Sequence, residues 1–139
     1  MRSLFFVFLF VSISTQAQDV IGKWKTIDDE SGEERSLVEI FEKNGKVYGK
    51  VVKLLRPGSN PDPVCEECDD SDDRFNKKII GMEILRDMEK SGEEYSGGNI
   101  LDPDNGRVYR CRIWLDGKDL KVRGYWGPLY RTQTWLRAQ

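Results

Sequence analysis

The chain has 139 residues, with 22 Lys and Arg against 24 Asp and Glu, no histidine, three cysteines and a formal net charge of −2. That length supports one modest hydrophobic core and not two. Basic residues alternate with acidic ones along every segment, so the linear pattern offers no polybasic face for nucleic acid or anionic lipid. The absence of histidine removes every catalytic triad and every metal set that depends on one.

The chain opens with Arg2 and an apolar run from Leu4 to Ile13, then the small polar stretch Ser14-Thr15-Gln16-Ala17. The run is too short to span a bilayer and has no polar face to show water, so it reads as a cleavable signal peptide. Thr15 and Ala17 are the small residues a signal peptidase reads, which places the cut after Ala17. Residues 1–17 are then the signal peptide and 18–139 a single domain, exported to the periplasm or beyond, with no transmembrane segment after cleavage. Losing Arg2 and no acid takes the formal charge to −3.

Eight strands are predicted from period and punctuation. Ile21 to Thr26 is the first, and Asp28-Asp29-Glu30-Ser31-Gly32 turns it into the second, where Ser36, Val38 and Ile40 alternate with Leu37, Glu39 and Phe41. Asn44-Gly45 is the residue pair of a two-residue hairpin turn and leads into Lys46 to Leu55. After a long connection come Gly81 to Met88, Glu94 to Leu101 and the turn Asp102-Pro103-Asp104-Asn105-Gly106. In the sixth strand Tyr109, Cys111, Ile113 and Leu115 share one face and Val108, Arg110, Arg112 and Trp114 the other. Leu120 to Trp126 and Thr132 to Arg137 complete the set. No long stretch has apolar residues at helical spacing, so the fold class is all-β: one antiparallel up-and-down barrel of about eight strands, closed so that no edge is left open.

Gly22 and Trp24 open the domain, while Arg131, Trp135 and Arg137 close it. These bookends are expected to meet as neighbouring strands and to serve structure, with Trp24 and Trp135 as core plugs and an arginine over a ring. The remaining aromatic and arginine residues, Tyr109, Arg110, Arg112, Arg123, Tyr125 and Trp126, are candidates to line a concavity for a small-molecule or lipid-like ligand. The competing expectation is that they pack structurally.

The connection from Arg56 to Lys77 is proline-rich at its start and acidic in its middle, so it is expected as an exposed loop over a barrel mouth. Within it, Cys65-Glu66-Glu67-Cys68 has dithiol spacing. Surrounding carboxylates disfavour a reactive thiolate, and the only other cysteine, Cys111, leaves zinc short of ligands. A local disulfide between Cys65 and Cys68 is the expectation for an exported chain, with Cys111 a small buried hydrophobe. Asp69 to Asp73 does not fit a calcium loop, because Arg74 stands where glycine is needed and Ile80 where the bidentate carboxylate is needed. No metal, cofactor or catalytic residue is assigned.

Taken in order, Gly22-Lys23-Trp24, Gly49-Lys50-Val51-Val52, Cys65 to Cys68, Gly81-Met82, Gly97 to Gly106, Arg123-Gly124-Tyr125 and Arg131 to Arg137 resemble the exported bacterial family known as domain of unknown function 2147. The resemblance covers nearly the whole mature chain. It implies a lipocalin-like barrel and export, and brings no established activity. Gly22-x-Trp24 with a late arginine also resembles the lipocalin signature at the closed barrel end, where Arg131 and Arg137 both qualify. Three functions stay open: binding a small apolar or amphiphilic ligand in the barrel, docking an envelope protein through the acidic Cys-x-x-Cys loop, or hydrolysis at a carboxylate site.

Overall fold

A computed structural model describes residues 19–139; the signal peptide expected at 1–17 lies outside them. The strands are β1 (Gly22–Ile27), β2 (Glu34–Lys43), β3 (Lys46–Leu54), β4 (Glu83–Ser91), β5 (Glu94–Asp102), β6 (Arg107–Asp116), β7 (Asp119–Trp126) and β8 (Leu129–Arg137). Each pairs antiparallel with the next, and β1 pairs with β8, which closes the barrel. Strand β8 starts at Leu129, three residues before the expected Thr132. Gly127-Pro128 forms a two-residue turn with Trp126 opposite Leu129, so the ladder continues through residues whose composition reads as loop.

Alternation decides the two faces. Trp24 and Thr26, then Ser36, Val38 and Ile40, then Cys111 and Ile113, then Leu120 and Val122 are all buried, while their neighbours along each strand are not. Val47, Leu85 and Met88 complete the inner packing, and Leu101 is buried as well. Cys111 sits opposite Gly124 across β6 and β7, and burial pushes its thiol up to about 12, so it packs as an un-ionised hydrophobe.

Trp24, with no exposed surface, plugs one end. Its indole N–H donates to the Val20 carbonyl at 2.8 Å. The Arg137 guanidinium lies 4.0 Å from the centre of the Trp24 ring and donates to the carbonyls of Ile21 at 3.0 Å and Asp19 at 2.6 Å. Of the two late arginines, Arg137 is thus the one that closes this end. Gly22 makes room for it, since a Cβ there would stand 3.0 Å from Arg137 Nη1. Arg131 lies at the opposite end, bonded to Asp29 and Glu30 of the β1–β2 turn at 2.5 and 2.8 Å.

The β3–β4 connection is more ordered than an exposed loop. Pro63 to Cys65 runs back against Asn76 to Ile79 through three backbone bonds of 2.9 to 3.0 Å, centred on the antiparallel Val64–Lys78 bridge. Cys65 and Cys68 form the disulfide, and both are buried. Their turn packs on the β5–β6 turn so closely that a Cβ on Gly106 would collide with the Glu67 carbonyl. Arg74 is also buried; it binds both oxygens of Asp72 at 2.9 Å and donates to the Glu83 carbonyl at 2.8 Å. Asp73 takes a bidentate pair from Arg86 at 2.7 and 2.9 Å. The acidic run is therefore partly a set of internal arginine acceptors.

Candidate ligand-binding site

The inner faces of β1, β2 and β8 change character along the barrel. Trp24, Val38 and Trp135 point inward, and two residues nearer the other end the inward positions are Thr26, Ser36 and Gln133. Beyond that change the barrel is not filled. A cavity of about 360 Å³ runs from the mouth down to Trp135, with walls of Val51, Ile84, Ile100, Leu101 and Val122. Ser59, Asn60, Pro63 and Ile79 of the β3–β4 connection cover one side of its mouth.

Hydrogen bonds between neighbouring strands and along β8 hold the polar groups deep in the cavity. The Thr26 and Ser36 hydroxyls are 2.7 Å apart, and the Ser36 N–H donates to Thr26 Oγ1 at 3.1 Å. Trp135 Nε1 donates to Gln133 Oε1 at 3.0 Å, which commits the amide oxygen and leaves the NH2 group as a donor at the floor. Uncharged hydrogen-bonding groups among apolar walls are the usual means of orienting a small ligand.

The rim is charged and locally neutralised. Arg35 pairs with Asp104 and lies 3.8 Å from Asp102; Arg56 reaches Asp104 at 3.5 Å and Asp28 at 3.7 Å. Backbone N–H groups of Ser31 and Glu30 hold the Asp28 carboxyl below its ordinary value. Hydrogen bonds from Ser71, Arg74 and Arg86 likewise lower Asp69, Asp72 and Asp73, with Asp72 brought to about 2. Carboxylates held ionised in this way do not suit the role of a general acid at neutral pH.

Of the six residues expected to line a concavity, Tyr109 does so, and the Trp126 ring meets it edge-on at 5.6 Å from the rim. Arg110, Arg112, Arg123 and Tyr125 are on the outer face. Strand alternation puts them there: Arg110 and Arg112 flank the buried Cys111, and Arg123 and Tyr125 flank the inward Gly124. Arg112 pairs with Glu94 at 3.3 Å, Arg123 lies over Trp114 and Tyr130, and Arg110 over Tyr125. The cavity residues that sequence reasoning passed over, Arg35, Ser36, Ile84, Asp102 and Gln133, come from four strands. The available signal was parity: a polar residue two positions from a buried one, in β1, β2 and β8 alike.

A closed eight-stranded antiparallel barrel with one plugged end and one open, cavity-bearing end is the architecture of a lipocalin-like protein. A family model described as "Uncharacterized protein conserved in bacteria (DUF2147)" matches residues 22–137, and the chain belongs to that family. Among solved structures it is similar to protein HP1028 from the human pathogen Helicobacter pylori, described as belonging to the lipocalin family. The two are 25% identical with a TM-score of 0.75, over 88% of this chain and 85% of that one. No match to a curated protein was found. No helix among the described residues is long and apolar enough to cross a membrane.

Proposed function

We propose that the protein is an exported carrier that holds a small apolar or amphiphilic molecule in its barrel. One observation carries the reading: the half of the barrel toward the mouth encloses a cavity of about 360 Å³ where a purely structural barrel would be filled by its own side chains. The apolar part of the ligand lies against Trp135, Val122 and Leu101, and its polar part meets Gln133 and the Thr26–Ser36 pair or the arginine–aspartate rim. The acidic-loop docking reading is weakened, because Asp72 and Asp73 already bind Arg74 and Arg86.

The test is native mass spectrometry of the mature protein purified from its own cells, followed by calorimetric titration with fatty acids of short, medium and long chain. A stoichiometric bound mass or a saturable one-to-one titration is expected. Ile100→Phe, which adds volume to the cavity wall, abolishes it while the fold persists. A ligand-free mass together with no saturable binding across the chain lengths overturns the reading.

A further inference from the structure

We propose that the β7–β8 hairpin tip and the adjoining outer face of β6 to β8 form a docking surface for an anionic phospholipid membrane. The tip is Trp126-Gly127-Pro128-Leu129-Tyr130. Trp126 and Leu129 continue the inward parity of their strands past the end of the packed barrel, and Tyr130 lies on the outward parity. The tip is therefore apolar on both sides, and neither side is covered: Trp126 is 52% exposed, Leu129 70% and Tyr130 62%. Hairpin tips in water are normally polar, and clustered exposed apolar groups mark a contact surface.

Charge selects the partner. Among the described residues Arg107, Arg110 and Arg123 have no carboxylate partner, in contrast to Arg112 and Arg131 beside them. Each lies over a ring instead: Arg107 over Trp126 at 5.1 Å, Arg110 over Tyr125 at 5.8 Å, and Arg123 over Tyr130 at 4.4 Å. A guanidinium held over an aromatic face has donors left for phosphate oxygens; Arg123 gives its Nε–H to Thr132 Oγ1 at 2.8 Å and keeps its two NH2 groups. Tryptophan and tyrosine favour the headgroup level of a bilayer, where one side of the ring is apolar and the other wet.

The linear sequence argues against such a surface, because its basic residues alternate with acidic ones. Folding overrides this, since the β6–β7 and β7–β8 registers set Arg110 opposite Tyr125 and Tyr125 opposite Tyr130. The carboxylates of this end lie on the β1–β2 turn, the β5–β6 hairpin and the β3–β4 connection, and none lies on the β7–β8 tip; Asp28, Asp29, Glu30, Asp102 and Asp104 pair with Arg56, Arg131 and Arg35, and Asp62, Asp72 and Asp73 with Lys78, Arg74 and Arg86. The tip also adjoins the mouth, since Trp126 touches the cavity-lining Tyr109. Docking there brings the opening to the lipid surface. The inference does not depend on the barrel being occupied.

Flotation of the mature protein with vesicles of phosphatidylethanolamine and phosphatidylglycerol, compared with vesicles of phosphatidylcholine alone, tests it. Binding to the anionic vesicles, weakened by salt, is expected. Replacing Arg107, Arg110 and Arg123 together by Gln lowers it about 100-fold, at about fivefold per arginine. Trp126→Ser with Leu129→Ser removes the blue shift in tryptophan emission that accompanies binding. Ile100→Phe binds vesicles like the wild type, which separates this surface from the cavity. Equal binding to both vesicle types, no binding, or binding untouched by either tip or arginine variant overturns the proposal. Retention on an acidic polysaccharide such as polygalacturonate without vesicle binding also overturns it, in favour of a polysaccharide partner.

Discussion

At the plugged end of the barrel Arg137 is held by two backbone carbonyls and the Trp24 ring, whereas at the mouth Arg35, Arg56 and Arg131 are held by carboxylates carried on turns. The residue type is the same, but the consequence differs. A backbone carbonyl in the closing segment neither titrates nor swings away, so the plug is fixed. A carboxylate partner on a turn is partly exposed, is screened by salt and can exchange one partner for another. The packed half of the barrel sets the fold, and the charged rim is the part free to rearrange.

The sharpest way to break this contrast is to remove the plug. Trp24→Ala deletes a fully buried ring and is expected to destabilise by about 3–5 kcal/mol, read as a lowered urea midpoint. Next comes a paired comparison of arginines. Arg137→Ala loses charged donors to two carbonyls and the ring contact, for about 2–3 kcal/mol. Arg131→Ala, on a side chain 58% exposed, is expected to stay within about 1 kcal/mol. Equal costs would show that the two ends are not finished differently.

Gly106→Ala is expected to cost about 1–3 kcal/mol, because the new Cβ meets the Glu67 carbonyl and the residue has φ +72°. Hydrogen exchange should locate the damage at residues 63–68, leaving the plug protected. The smallest effect is on pH. Asp72 falls from an ordinary 3.8 to about 2 through its bonds from Arg74, so this contribution is complete above the ordinary value and is lost as pH falls toward about 2. Loop amides near Arg74 should gain exchange in that window ahead of the barrel strands, and Asp72→Asn should reduce the pH dependence to the part carried by Asp69 and Asp73.

Most of the barrel was legible because each strand carries its own alternation and each short turn its own glycine, as at Asn44-Gly45 and Asp116-Gly117. The start of β8 was not, since Gly127-Pro128 and the exposed residues around it carry no two-sided pattern. The disulfide followed from spacing, but the packing of its turn on Gly106 joins segments about forty residues apart, which no local pattern encodes. The cavity was harder still. Strand alternation puts Arg110 and Arg112 on the face opposite Tyr109, so side chains whose chemistry suits a ligand site point away from the cavity. Arg35 and Asp104 meet only because the barrel closes.

The seam between first and last strands has a practical corollary. Trp24 pairs with Arg137, and the backbone of Ala138 bonds to Lys23 at 2.9 Å, so both ends of the barrel sequence emerge together beside the plug. A tag, label or surface tether joined at either end sits on the side away from the mouth. An immobilised copy would offer its opening and hairpin tip to the solution whichever end was used, and a short linker between the two ends would allow the chain to be recut at one of the tight turns.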